Sequence, residues 1–430
     1  MNAYDKSAGV SSVPAGIARE MAAEGGRVTF ARFMELALTH PTDGYYSRTG
    51  RLLGRRGHFS TAPHLSPAFR GAVSRLLTEL VDASLANISP GDASLVDASP
   101  VDASHVAVPA AAGPSGADAV GRQPFAVIEL GGGEGDLVGA VLEGWQGARP
   151  ELRERVVYSI VEIGEGLRAR QRAAVSGMLA RGWDVRWADA LTGAVAGTRP
   201  GVIVGNEFVD ALPVHLVDVR GPRPLEAWVD LDPDGGGRVS ELWGDLSREA
   251  KAELRFLFGG AEGDRLRSLS RDGVMELRPT VGSLLRQIVA VMPEGCLLTV
   301  DYGDWFKGVE AGTGRWCGPS GEPSYGRTVR GYFRHQLVTD PYVRVGNQDL
   351  TADVDFRALD LHGRESGFET VLFTSVAALL LADGGEAELS VLQARAGDSL
   401  QADREAGVLE ALLDEQGLGG SFKVMLQVRG

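Results

Sequence analysis

An α/β fold, with a mostly parallel sheet covered by helices on both faces, is what the sequence predicts. Three observations carry that expectation. From Phe125 onward, continuous apolar runs alternate with helical patterns. The first of those runs ends in a glycine-rich turn that opens directly into a helix. The chain closes on two more apolar runs, "GFETVLFTS" and "SFKVMLQVR", which suit an antiparallel pair completing the sheet.

The elements follow in order. Residues 1–83 read as an N-terminal helical region that acts as a lid, with "FARFMELAL" as an amphipathic segment before the turn "HPTDGYY". Residues 84–122 repeat Asp-Ala-Ser, at Asp92, Asp97 and Asp102 after a first copy at Asp82, amid Pro, Gly and Ala. A repeat so short and polar builds no solenoid, and a flexible insertion is expected there. "FAVIEL" is then a buried parallel strand, "GDLVGAVLEGW" a helix, "VVYSIVEI" a second strand and "EGLRARQRAAVSGMLARG" one long amphipathic helix. "DVRWAD" and "GVIVGNE" are the third and fourth strands. Residues 213–273 change to alternating strands, "VHLVDV" and "LEAWVDL" around a Gly-rich turn, which suggests an inserted β-rich subdomain on the substrate side. "SLLRQIVAVM" and "GCLLTVDYG" restore helix and strand, and two helices are expected between the closing strands. The core thus comprises 123–212 and 274–430.

Composition narrows the function. The net charge of −14 argues against general nucleic-acid binding, which depends on clustered Lys and Arg, and favours cationic substrates. Cys296 and Cys317 give neither a disulfide framework nor metal spacing, and read as inert thiols. No His, Cys and carboxylate cluster has the spacing of a metal site. The start lacks the pattern of a signal or transit peptide and no apolar run reaches membrane-spanning length, so a cytoplasmic protein without a membrane partner is expected.

The glycine turn poses the cofactor question. A strand, glycines and a helix present unpaired N–H groups and a positive dipole end. In a dinucleotide fingerprint counted from Gly131 and Gly133, the last glycine would fall at Asp136, whose carboxylate repels phosphate. A P-loop needs a lysine, and none is near. What remains is Glu129, Gly131, Gly133 and Gly135 in E-x-G-x-G-x-G. That pattern suits S-adenosylmethionine (SAM), which is cationic at sulfur and carries no phosphate. Glu162, at the second strand's end, can accept the ribose hydroxyls, and Asp189, after the third, can reach the adenine amino group. The plainer reading of both acids is helix capping. Asn206, Glu207 and Asp210 cluster at the fourth strand's end, where the transferable methyl should sit; on the plainer reading Asn206 and Asp210 form a turn and a helix cap.

Several motifs in order extend this reading: "HPTDGYY", "GHFSTAPHLSPAF", "IELGGGEGDL", "VEIGEGLRARQ", "NEFVDALP", "MELRP", "LLTVDYGD", "TVRGYFRHQL" and "GNQDLTADVDF". As a set they resemble the MidA-like family of class I SAM-dependent methyltransferases across nearly the whole chain. The resemblance implies a Rossmann-like class I methyltransferase fold and transfer of a methyl group to nitrogen, in the best-understood branch an arginine guanidinium of a protein. It places the cofactor loop on Glu129, Gly131, Gly133 and Gly135, the ribose acid on Glu162, and the catalytic-side loop on Asn206, Glu207 and Asp210. The chain departs from the family where His58 and His64 stand in place of an Asp and a Glu, which removes two carboxylates from the expected substrate mouth.

Other residues belong to the substrate side or lid. Asp301 and Tyr302 end the fifth strand and face the same crevice, although Tyr302 serves equally as core packing. Tyr45 and Tyr46 either close over the cofactor or staple the N-terminal helices. His335 lies in a late motif and reads first as a hydrogen-bonded structural residue. A protein or peptide substrate is expected, with a small-molecule acceptor, or a SAM-binding scaffold without turnover, as the alternatives. A homodimer is compatible with all three.

Overall fold

The computed structural model describes residues 12–47, 66–85, 123–232, 237–259, 264–306, 308–309, 316–317, 325–334, 336–395 and 399–430. The insertion expected at 84–122 lies outside these residues, except for Ser84 and Leu85, which finish a helix.

Seven strands, numbered along the chain, form the backbone of the larger sheet: β1 (Phe125–Leu130), β2 (Val156–Val161), β3 (Asp184–Ala188), β4 (Arg199–Asn206), β5 (Gly295–Asp304), β6 (Glu369–Ser375) and β7 (Phe422–Arg429). Their order is β6-β7-β5-β4-β1-β2-β3. All neighbours are parallel except those of β7, which runs antiparallel to both β5 and β6. A short strand, Val354–Asp355, extends the tip of β5 in parallel.

Every residue of β1 is buried, as a strand between two helical layers must be. Phe125 and Val127 face one layer, built from the helices Pro67–Leu85 and Asp136–Ala148. Ala126, Ile128 and Leu130 face the other, where Leu285, Ile288, Phe356 and Leu359 come from the helices Thr280–Val291 and Phe356–Glu365. In the first layer Trp145 is fully buried, and its indole donates to Thr78 Oγ1 at 2.9 Å, so the ring contributes apolar burial without stranding its N–H.

The long helix expected at 165–182 is two helices, Glu165–Ala174 and Ser176–Ala180, broken at Val175. Val175 is 1% exposed, and turning it into the core interrupts the helix. Among the described residues between β6 and β7, four helices stand instead of two: Val376–Ala382, Gly385–Ala394, Leu400–Leu413 and Leu418–Ser421.

The alternating region after β4 forms a second, antiparallel sheet that reaches past residue 273. His215–Asp218 pairs with both Leu225–Leu231 and Val274–Leu277, and Val239–Gly244 flanks Leu225–Leu231. An unexpected strand from the N-terminal region, Arg27–Thr29, joins it by pairing Val28 with Val229. The N-terminal helices therefore share one core with the inserted strands, in which Phe30, Phe33, Met34, Leu216 and Val229 meet. A third sheet, Gln336–Val338, Arg330–Phe333 and Asp349–Thr351, completes the side above β4.

Candidate active site

A cavity of about 320 Å³ opens at the carboxyl ends of β1, β2 and β4, where the crevice of an open α/β sheet belongs. Two walls of different construction meet in it.

The first wall follows β1. Gly131, Gly133 and Gly135 have φ of 65°, 51° and 94°, a left-handed path that side chains disfavour. A Cβ on Gly131 would stand 3.0 Å from the Phe208 ring, and one on Gly135 would stand 3.1 Å from Ala174. Gly131 and Gly133 line the cavity, whereas Gly135 caps the helix Asp136–Ala148 and lets it approach Glu165–Ala174. Glu129 is buried beneath the loop, accepting the Tyr158 hydroxyl at 2.9 Å.

Glu162 follows β2 directly and is buried. Its Oε1 accepts Gly164 N–H at 2.8 Å, and its Oε2 accepts Gln171 Nε2 at 3.3 Å. Burial pushes its carboxyl above the usual range, and those two bonds pull against that shift. These bonds leave part of a carboxylate's roughly four acceptor sites open to a ligand hydroxyl. Gln171 also donates to Gly133 O at 2.9 Å and accepts from the Trp187 indole at 2.9 Å, tying acid and glycine loop together.

The second wall follows β4. Glu207 holds φ of 49°, rare for a non-glycine residue, with its N–H bonded to Val300 O at 2.8 Å. Strain of this kind survives only where surroundings enforce it. They do here: Asp301 Oδ2 accepts the N–H groups of Val209 and Asp210 at 2.9 and 3.1 Å. Asp210 Oδ2 accepts the Thr351 hydroxyl at 2.7 Å. The buried Arg278 guanidinium donates to the carbonyls of Asp210, Leu212, Ala352 and Asp353, clamping 207–212 to 351–353. Asn206 Oδ1 is buried and has no hydrogen-bond partner among the described residues, which leaves it open to a donor in the cavity.

Asp349 closes this wall, accepting the Tyr46 hydroxyl at 2.8 Å. Burial, reinforced by Asp210 and Glu207, pushes the Asp349 carboxyl up to about 8 against that hydrogen bond. Asp210 and Asp301 are likewise raised, burial being the main cause. The glycine cradle and the buried Glu162 beside it fit SAM, and the excess of carboxylates suits its sulfonium rather than a phosphate.

A family model described as "Putative S-adenosyl-L-methionine-dependent methyltransferase" matches residues 115–374, more than half of the chain. The chain belongs to this methyltransferase family. A crystal structure from Burkholderia thailandensis with S-adenosyl-homocysteine (SAH) bound is similar, at 28% identity and a TM-score of 0.69, covering 96% of this chain and 91% of that one. Protein arginine methyltransferase NDUFAF7, mitochondrial, of Mus musculus is 24% identical over 420 residues, 92% of this chain and 80% of its own. Its homolog in Drosophila melanogaster is 25% identical over 425 residues, 94% and 82%. This methyltransferase uses SAM, as its family does.

Of the residues expected from the sequence, Glu129, Gly131, Gly133, Glu162, Asn206, Glu207, Asp210 and Tyr46 line the cavity together. Asp189 does not join them: it is exposed beyond β3, which as an edge strand has one neighbour and opens on solvent. Asp301 lies beneath the wall as its positioning residue. Tyr302 packs on Phe422, ring centroids 3.6 Å apart, outside the lining, so core packing is its role in this structure. Tyr45 is buried behind Tyr46, edge-on at 5.2 Å. His58, His64 and His335 lie outside the described residues. Cys296 is buried, and burial pushes its thiol up to about 12, which keeps it unreactive. Gln171, Arg278, Asp349 and Thr351 were not singled out as site residues, although the quoted motifs contain them: Gln171 in "VEIGEGLRARQ", Arg278 in "MELRP", and Asp349 and Thr351 in "GNQDLTADVDF".

Proposed function

We propose that this methyltransferase moves the methyl group of SAM to a guanidinium nitrogen of a protein arginine. The observation that carries the reading is the second wall, where Glu207 and Asp210 from one segment and Asp349 from another, far along the chain, converge on one cavity. Burial, with Glu207 and Asp210 close by, raises the pKa of the Asp349 carboxyl, and a cationic acceptor relieves that cost. The names of the mouse and fly relatives, both protein arginine methyltransferases, support the same acceptor.

When bound, SAM supplies an electrophilic methyl carbon with its own leaving group. The chain supplies alignment and a route for the proton. Glu207, fixed by its backbone bond to Val300, localises the guanidinium charge and takes the proton that the new N–C bond releases. Asn206 Oδ1 accepts an N–H of the incoming group and orients its lone pair. Asp210, held by Thr351, and Asp349, held by Tyr46, keep the acceptor's planar fork in register.

Two measurements test this. Protein labelled with methyl-marked SAM in a cell lysate should yield methylarginine by mass spectrometry. Label on lysine, or on a small molecule alone, overturns the acceptor. Glu207→Gln should slow turnover by about 100-fold or more while SAH affinity, read by calorimetry, changes less than about 2-fold. Full turnover in that variant removes Glu207 from the proton route.

A further inference from the structure

The amino-acid end of SAM carries one anionic group, its carboxylate, in a cavity otherwise arranged for cations. Among the described residues lining the cavity, six are acids: Glu129, Asp136, Glu162, Glu207, Asp210 and Asp349. Arg70 is the single guanidinium among those described residues, and no lysine or histidine joins it.

Its position is set locally. Arg70 lies in the first turn of the helix Pro67–Leu85, half-buried, next to Phe69, which also lines the cavity. Ser66 fixes that turn, its Oγ accepting Phe69 N–H and its carbonyl accepting Arg70 N–H, each at 3.2 Å. This helix packs along Asp136–Ala148, so that Phe69 and Leu137 share one core and both helix starts reach the cavity beside the glycine loop. With the ribose on Glu162, the amino-acid end lies toward Gly131 and Gly133. A carboxylate arriving there meets Asp136, and only a cation at the same end offsets that repulsion.

We propose that Arg70 receives the carboxylate of SAM and is the residue through which the cavity distinguishes the intact amino-acid end of the cofactor. The inference rests on this cavity being the SAM site. A guanidinium matches a carboxylate with two parallel N–H···O bonds, which a lysine cannot reproduce.

Calorimetry on the full-length protein tests it with SAM and decarboxylated SAM, which differ only in that group. Wild type should bind SAM roughly 10- to 100-fold more tightly than the decarboxylated form, as expected for a hydrogen bond to a charged group. Arg70→Met should lose that preference, with its affinity for decarboxylated SAM within about 2-fold of wild type; Arg70→Lys should retain part of it. If Arg70→Met weakens both ligands equally, the side chain is merely wall, and the inference fails. It fails too if neither affinity changes. Absence of SAM binding to wild type would instead overturn the cavity assignment itself. Unchanged melting temperatures in both variants show that the fold is intact.

Discussion

The two walls of the cavity face the same space yet are assembled by opposite means. The cofactor wall comes from short stretches: the glycine loop is seven residues from Glu129 to Gly135, and Glu162 is fixed by Gly164 and Gln171, two and nine residues on. The acceptor wall is stitched from Tyr46, residues 206–212, Arg278, Asp301 and 349–353, with bonds spanning up to 303 residues. A locally built wall can hold its ligand with few dependencies. A wall built at long range depends on the whole fold, and it is the one with a strained Glu207 and crowded carboxylates.

The sharpest way to break this contrast is at the glycine loop. Gly131→Val adds a β-branched side chain at φ of 65° and 3.0 Å from Phe208. Calorimetry should show SAH affinity falling on the order of 100-fold, about 2.7 kcal/mol, while the left-handed backbone strain costs about 1–2 kcal/mol of stability and leaves the protein folded. If stability collapsed instead, the local character of this wall would be wrong.

Asp301→Ala attacks the other side. It strands the N–H groups of Val209, Asp210 and Tyr302, which Asp301 accepts at 2.9, 3.1 and 2.9 Å. Denaturant unfolding should show a loss of about 3 kcal/mol, and turnover should drop more than SAH affinity does. Equal losses in both would mean that the walls are not separable.

A third test is a pH dependence. The folded Asp349 carboxyl stands at about 8, above the ordinary aspartate value near 4. Ionising it therefore costs more in the folded state, so its contribution is fully kept below about pH 4 and lost as pH rises toward 8. Asp349→Asn keeps an acceptor for Tyr46 and removes that loss. Relative to wild type, the variant should gain about 4 kcal/mol in unfolding experiments between about pH 5 and pH 8 and level off above that. A constant difference across that range would place the charge elsewhere.

The same contrast governs what the sequence revealed. β1, β2, β4 and β5 are continuous apolar runs, and the glycines and acids at their tips follow within a few residues, so fold class and cofactor wall could be read directly. Arg278 stood in the quoted run "MELRP", but its clamping role was hidden, because its partners are backbone carbonyls more than 60 residues away. Asp301 was visible, but its downward-facing role was not, since it depends on where 207–210 returns. Arg27–Thr29 is too short for any periodicity to show. Ala174, Val175 and Ser176 include no helix breaker, so the interruption there comes from packing alone.

The pairing of Val28 with Val229 also constrains how the molecule is made. During translation from the amino end, Val28 leaves the ribosome some 200 residues before its partner strand, a delay of roughly 10 to 40 s at ordinary elongation rates. Through that interval Phe30, Phe33 and Met34 have no β-sheet to settle on. The nascent chain consequently passes through a long, sticky adolescence, and holdase chaperones should favour its first hundred residues over its last.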